Sequence, residues 1–196
     1  MTGGITKTDS AANISTFDGI DIQVRSQGPN EWRTVVLLDA LSDDTPRYSG
    51  VLSRLQVAKV RTVVIASHQP VAVKAVIDVL DTLNVPSAVL VGDRAEAETA
   101  WRTTAHHPER ISGLVVIDGG HPKTPSVSCT VCENQCPPVL ANTTALVSTT
   151  AAKSIARASR HYVRGDFRIA ELVGRRGSRE FTAQLSTEIV LRALSV

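Results

Sequence analysis

The stretch VPSAVLVGDRAEAE at residues 85–98 decides the fold, together with the segment ISGLVVID at residues 111–118. Each contains a run of apolar residues on successive positions, Ala88–Val91 and Leu114–Ile117. A strand shows this pattern when both of its faces are buried, as in a parallel sheet. Apolar residues with helical spacing lie between the two runs, around Trp101. The stretch therefore predicts one β-α-β unit.

The same alternation continues on both sides of this unit. Further buried strands are predicted at Thr34–Leu38, Thr62–Ala66, Thr144–Val147 and Phe167–Val173, and an edge strand at Phe17–Ser26. Helices are predicted at Tyr48–Val57, Val71–Leu83, Ala95–His106, Ala151–Tyr162 and Glu180–Leu194. The fold class is α/β, a doubly wound, mostly parallel sheet with helices on both faces. The segment between Gly120 and Pro138 is too short for a helical lid domain.

Length and composition predict one globular domain. The chain has 196 residues, of which 42% are hydrophobic and 20% charged. Residues 1–15 are small and polar without periodicity, which predicts a disordered leader before a single domain at 16–196. No apolar run approaches the roughly 20 residues of a membrane span, and no signal-peptide core follows Met1, so we expect a cytoplasmic protein with no membrane attachment.

The charge distribution argues against nucleic-acid binding. Residues 151–196 are locally basic, but aromatic residues make up only 4% of the chain. A nucleic-acid surface usually combines basic and stacking side chains, so solvated helix faces explain the charges better.

Three aspartates occur where predicted strands end: Asp39, Asp93 and Asp118. Because ligands of doubly wound sheets bind beyond the carboxyl ends of the strands, this edge is where a site is expected. The carboxylates could together coordinate a hard cation such as Mg²⁺. Alternatively, each one caps the turn or helix that follows it.

Residues 85–92 and the segment HPERISGLVVID at residues 107–118 resemble the core of the α/β-hydrolase superfamily. The resemblance covers roughly residues 17–194 and is strongest from 71 to 120. In this family the central strand enters a G-x-S-x-G turn that carries the nucleophile. Aligning Gly92 with the first glycine places Arg94 at the nucleophile and Glu96 at the second glycine. A guanidinium cannot attack a carbonyl, so the resemblance implies a lost nucleophile.

The other family positions are also occupied by unsuitable residues. The oxyanion-hole position corresponds to Asp39-Ala40, and an acidic group there would repel a developing oxyanion. The catalytic-acid position corresponds to Ser148–Ala151, which contains no carboxylate, and the expected histidine is absent from the loop Gly174–Ser178. Asp93 with Glu96 forms an Asp-x-x-Glu pattern, which predicts an ordinary capping box without strain in place of the family's turn.

A cysteine cluster is a separate feature. Cys129, Cys132 and Cys136, with His121 eight residues before the first of them, offer three thiols and an imidazole. Such ligands could hold zinc or an iron-sulfur cluster, and Cys129 with Cys132 could form a redox pair. Inert loop thiols are the alternative, and they leave the protein without a cofactor.

Together these observations favour a non-catalytic protein, a pseudoenzyme, that binds a protein partner, another copy of itself or a small ligand over the strand ends. A hydrolase with a non-standard catalytic set is the first alternative, with Asp93, Asp118 or His121 as its candidate residues. A metal or redox module at the cysteines is the second.

Overall fold

The computed structural model describes residues 9–15, 21–40, 48–124 and 135–195, and side chains from residue 22 onward within those ranges. The strands are β1 (Asp9–Ser15), β2 (Asp21–Gln27), β3 (Arg33–Ala40), β4 (Val60–Ser67), β5 (Ala88–Asp93), β6 (Ile111–Ile117), β7 (Asn142–Val147) and β8 (Phe167–Glu171). The helices are α1 (Ser49–Val57), α2 (Val73–Thr82), α3 (Ala95–His106), α4 (Thr150–Ser159) and α5 (Arg179–Leu194), with a 3-10 turn at Arg160–Tyr162.

The strands form one sheet in the order β1-β2-β4-β3-β5-β6-β7-β8. Strand β2 is antiparallel to both of its neighbours, β1 and β4. The six strands β3 to β8 are all parallel to one another. The carboxyl ends of β3, β5, β6 and β7 therefore lie at one edge of the sheet. This arrangement confirms the predicted doubly wound, mostly parallel α/β fold.

Helices cover both faces of the sheet and bury a core on each. On one face α2, α3 and α4 pack against the strands, with the fully buried Trp101 near the centre. On the other face α1 and α5 pack around Phe181. The apolar runs of the central strands contribute alternate residues to the two cores, as buried parallel strands must.

Helix α5 is fixed to the sheet by a buried cation as well as by apolar contacts. The Nε atom of Arg192 donates to Thr144 Oγ1 at 2.8 Å, and its Nη2 atom donates to the carbonyl oxygen of Thr143 at 3.1 Å. Its Nη1 atom lies 2.8 Å from Asp166 Oδ2. These bonds link the end of the chain to β7 and to the turn before β8.

The amino-terminal region differs from the sequence prediction. Residues 9–15, placed by the prediction in a disordered leader, form β1, which pairs with β2 along all seven of its residues. Consequently β2 is an interior strand and not the predicted edge strand. The pairing uses backbone groups, which a search for apolar side-chain periodicity does not detect.

Within the described ranges, no helix combines the length and the apolar character that crossing a membrane requires.

Candidate functional site

The turn between β5 and α3 is a strained elbow centred on Arg94. Strand β5 ends at Asp93, Arg94 has φ 54° and ψ −106°, and α3 begins at the next residue. A non-glycine residue in such a conformation costs about 1–3 kcal/mol. The elbow is held by hydrogen bonds from Arg94 N to the Ile117 carbonyl at 2.8 Å and from Ala97 N to the Arg94 carbonyl at 3.1 Å.

Gly92 makes this elbow possible. A Cβ atom at residue 92 would lie 2.5 Å from the carbonyl oxygen of Glu96 and 2.8 Å from the Cα atom of Ala97. The first turn of α3 therefore packs directly onto the strand, and any larger residue at 92 would push the helix away.

The predicted capping box is wrong. The N-cap of α3 is Arg94, and no side chain accepts a capping hydrogen bond there. The carboxylate of Asp93, the predicted cap, is only 1% exposed and is bound to Arg176 instead. A buried ion pair formed with a distant part of the chain has displaced the local capping interaction, so the turn is strained and not relaxed.

Arg176 links the two strand-end carboxylates. Its Nε and Nη2 atoms donate to Asp93 Oδ2 and Oδ1 at 3.0 and 2.9 Å, and Nη2 also donates to Asp118 Oδ2 at 2.5 Å. Asp118 in turn accepts from both the backbone N and the Oγ of Ser148 at 2.6 Å. The hydroxyl of Tyr48 points at Asp93 Oδ2 from 3.4 Å. We call Asp93, Asp118, Ser148 and Arg176 the arginine bridge.

Hydrogen bonds within the arginine bridge shift the pKa values of Arg176 and Asp118. Hydrogen bonding to Asp93 raises the pKa of Arg176 despite the opposing effect of burial, and Asp118 adds to the rise. Burial by itself raises the pKa of Asp118, but hydrogen bonds from Ser148 and Arg176 outweigh it and hold the pKa below the ordinary value. Asp118 is therefore ionised over the whole neutral range.

Two of the three strand-end aspartates, for which either a hard cation or local capping was predicted, bind a guanidinium. Asp93 and Asp118 share Arg176, while Asp39 lies half-buried near the end of β3. Over the described part of the chain, no group of three or more histidine, cysteine or acidic side chains could hold a metal ion.

His121 is packed as a core residue. Its ring is 1% exposed, stacks on Tyr162 with centroids 4.7 Å apart, and meets Trp101 edge-on at 5.5 Å. The Nε2 atom lies 3.0 Å from the Pro137 carbonyl, and Nδ1 accepts from Lys123 N at 3.2 Å. Both ring nitrogens thus contact the backbone, an arrangement that fits a neutral ring protonated on Nε2.

The cysteine cluster can be described only in part. Cys136 is fully buried in the core that contains α2, α3 and α4. Cys129 and Cys132 lie outside the described residues. A zinc, iron-sulfur or redox role for the three thiols stays a prediction.

Sequence reasoning missed Arg176. No pattern in the loop Gly174–Ser178 marks one of its two arginines as a partner of the strand-end aspartates. Arg176 lies 83 residues from Asp93 and 58 from Asp118 along the chain. The available signal is that Asp93 and Asp118 follow neighbouring strands and that this loop also follows a strand at the same edge of the sheet.

The chain resembles known proteins in structure but not in sequence. No family model matches the chain, and no curated protein matches it in sequence. Solved structures do match. A carboxylesterase structure from Nitrososphaera gargenis aligns with a TM-score of 0.69 at 10% identity, covering 94% of this chain and 100% of that one. Epoxide hydrolase A from Mycobacterium thermoresistibile aligns with a TM-score of 0.70 at 10% identity, covering 94% and 98%.

A third structure, a predicted CIB-like hydrolase from Thermoplasma acidophilum, aligns with a TM-score of 0.68 at 14% identity over 96% of this chain and 100% of that one. The chain has the α/β-hydrolase fold. At these identities the likeness concerns the fold alone.

Proposed function

We propose that this chain is a non-catalytic protein of the α/β-hydrolase fold, which binds a ligand or a protein partner at the edge formed by the strand carboxyl ends. The observation that carries the proposal is the arginine bridge. Arg176 comes from the loop after the last strand, where a general-base histidine would be expected, and its guanidinium binds both nearby carboxylates.

The chemistry of the elbow residues supports this proposal. Arg94 has no lone pair with which to attack a carbonyl or an epoxide carbon. Both carboxylate oxygens of Asp93 accept hydrogen bonds from Arg176, and the side chain is 1% exposed, so it is shielded from a substrate. Asp118 has a lowered pKa and is therefore a weak base and an ineffective proton donor at neutral pH.

The exposed side chain of Arg94 indicates which kind of ligand this edge would bind. Its side chain is 59% exposed, and its nearest carboxylate among the described residues is Asp93, at 3.8 Å from Nε. That carboxylate is already bonded to Arg176. Because a guanidinium binds planar acids through two parallel hydrogen bonds, the proposed ligand or partner presents an acidic group to Arg94.

Turnover and ligand binding test the proposal separately. We expect no hydrolysis of short-chain p-nitrophenyl esters or styrene oxide above the buffer rate, and no labelling by a fluorophosphonate. Titration with short-chain carboxylates should shift the NMR signals of Arg94 and its neighbours. Arg94→Ala should abolish these shifts, while Arg54→Ala, which removes an exposed arginine from α1, should not. Enzymatic turnover, or equal shifts in Arg94→Ala, would overturn the proposal.

A hydrolase with a non-standard catalytic set is the second candidate. Two observations favour it: the elbow keeps its strained backbone, and the structures that align with the chain include carboxylesterases and epoxide hydrolases. In such an enzyme Asp93, Asp118 or His121 would have to react, and the two aspartates lie nearest the elbow. An epoxide or ester turnover that falls at least about 100-fold in Asp93→Asn or Asp118→Asn, with folding intact, would establish it. Retention of that turnover in both variants would exclude these two residues.

The cysteine prediction needs its own measurement. We expect protein purified anaerobically to contain about one equivalent of zinc or iron if Cys129, Cys132, Cys136 and His121 bind metal. The described contacts of His121 with the backbone favour the opposite result. Metal content well below about a tenth of an equivalent would remove the metal-binding candidate.

A further inference from the structure

Arg61 is a buried cation at the opposite edge of the sheet from the elbow. It is the second residue of β4, at the amino-terminal ends of the parallel strands, and it is 5% exposed. Its Nη2 atom donates to Ser26 Oγ at 3.3 Å, and its Nε atom is buried without a hydrogen-bond acceptor. Among the described residues no carboxylate lies within ion-pair distance of it.

This arrangement is energetically unusual. Buried charges in proteins are normally paired, because removing an ion from water costs several kcal/mol. Burial accordingly lowers the pKa of Arg61. The other buried arginine, Arg192, shows the usual solution, since it contacts Asp166 at 2.8 Å and two further oxygens.

The surroundings of Arg61 suit a small anion. Gly28 lies next to it, with φ 103°, and a Cβ atom there would lie 3.2 Å from the Cα atom of Arg61 and 3.3 Å from Trp32 Cε3. Gly28, the residue after β2, therefore packs directly against the Arg61 backbone and the Trp32 ring. On the other side Thr34 is the β3 residue in register with Arg61, and it is buried, as is Ser26. Two hydroxyl groups and a guanidinium thus lie close together.

Two exposed basic residues also lie at this edge of the sheet. Arg33 and Lys59, both exposed, lie at the start of β3 and just before β4. Positive charge at this edge lowers the energy of an anion bound beside Arg61.

We propose that the chain has an oxyanion site at the amino-terminal edge of the sheet, formed by Arg61 and Ser26 beside Gly28 and Thr34. The ligand is a small oxyanion, either inorganic phosphate or a carboxylate. A guanidinium offers planar paired donors to either ion, and hydroxyl groups supply the remaining hydrogen bonds. The site is distinct from the arginine bridge and does not depend on the function proposed for the elbow.

Thermal unfolding of the full chain tests the proposal. Phosphate or acetate at about 20 mM is compared with chloride at the same ionic strength, and we expect one of the two oxyanions to raise Tm by about 2–4 °C. Whichever anion stabilises identifies the ligand chemistry. Calorimetric titration with the same anion should show about one site per chain.

Variants assign the effect to Arg61. Arg61→Met should unfold in chloride at the same Tm or a higher one, because it removes an unpaired buried charge, and it should lose the oxyanion shift. Arg25→Met, the same charge change at an exposed position of β2, should retain the shift. Ser26→Ala should reduce the shift, which provides a second variant if Arg61→Met does not fold.

Arg94→Ala tests whether the effect comes from the elbow. This variant should retain the full oxyanion-induced rise in Tm. The proposal is overturned if neither oxyanion stabilises the protein more than chloride. It is equally overturned if Arg61→Met and Ser26→Ala both keep the full shift.

Discussion

Arg94 and Arg176 are the two residues on which the functional conclusion depends. The backbone of Arg94 is strained, and it is held in that conformation by backbone hydrogen bonds and not by its own side chain. Arg176 supplies the cation shared by the carboxylates of Asp93 and Asp118. These two observations, the strained backbone at Arg94 and the guanidinium bound to both nearby acids, are the basis of the proposed binding function.

Replacing Arg94 with glycine should stabilise the protein. Glycine adopts positive φ angles without the steric penalty that an arginine pays, while it loses more chain entropy on folding. The expected net gain is about 1 kcal/mol in the free energy of unfolding measured with urea. Arg94→Ala keeps the strain and serves as the control. Equal stabilisation of the two variants would show that the arginine side chain, and not the backbone, is responsible.

Replacing Arg176 with methionine should destabilise the protein strongly. The change leaves Asp93 and Asp118 close together without their shared cation, and removing one partner of a buried ion pair costs about 3 kcal/mol or more. Arg175→Met, in the same loop but exposed, is the matched control and should change little. A urea midpoint for Arg176→Met close to that of the control would contradict the structural role given to the arginine bridge.

Asp118 should contribute a pH-dependent part of the stability. Its folded-state pKa lies below the unfolded value of about 3.9, so its contribution is fully present above that value. The contribution is lost as the pH falls through the lower folded-state pKa. Unfolding between about pH 6 and pH 2 should therefore show a weaker pH dependence in Asp118→Asn than in the wild type. Identical slopes would mean that the carboxylate is not held ionised by its neighbours.

At the level of elements, the edge strand β8 is protected by a side chain of α5. The amide of Gln184 donates from Nε2 to the carbonyl of Glu171 at 2.7 Å and accepts at Oε1 from Val173 N at 2.8 Å. The side-chain amide thus makes the two hydrogen bonds that a peptide group of a neighbouring strand would make. Exposed strand edges promote association, so Gln184 limits the pairing of the carboxyl end of β8 with another chain.

Gln184→Leu should therefore both destabilise the protein and promote association. We expect a loss of about 1 kcal/mol and a concentration-dependent increase in size by light scattering. Thr187→Ala provides the control, because that exposed hydroxyl bonds only within α5. A monodisperse Gln184→Leu variant that matches the control at high concentration would argue against edge protection.

Most of the elements could be predicted from the sequence because the central strands β3 to β6 each contain a run of successive apolar residues. The predicted run Ala88–Val91 falls within β5, and the predicted helix Ala95–His106 has the limits of α3. Strand β1 could not be predicted, since its sequence DSAANIS has no alternation of large apolar residues and it is defined by pairing with β2.

For the whole molecule, the position of the candidate site could be predicted from the sequence. The ion pairs that connect its side chains could not. Topology alone places Asp93 and Asp118 at one edge, because the carboxyl ends of parallel strands coincide there. Their cation is Arg176, which lies more than fifty residues away along the chain from either aspartate. No local sequence pattern indicates this contact. The capping prediction failed for the same reason, since the tertiary ion pair was stronger than the local preference of Asp93.

The arginine bridge also has a consequence for the order in which the molecule opens. Arg176 precedes α5 and binds the ends of β5 and β6, while Arg192 near the end of α5 binds β7. Helix α5 is therefore held against the centre of the sheet by side-chain contacts at both of its ends. It cannot fray away on its own, and its amide hydrogens should exchange with solvent only when the central strands open in the same cooperative event.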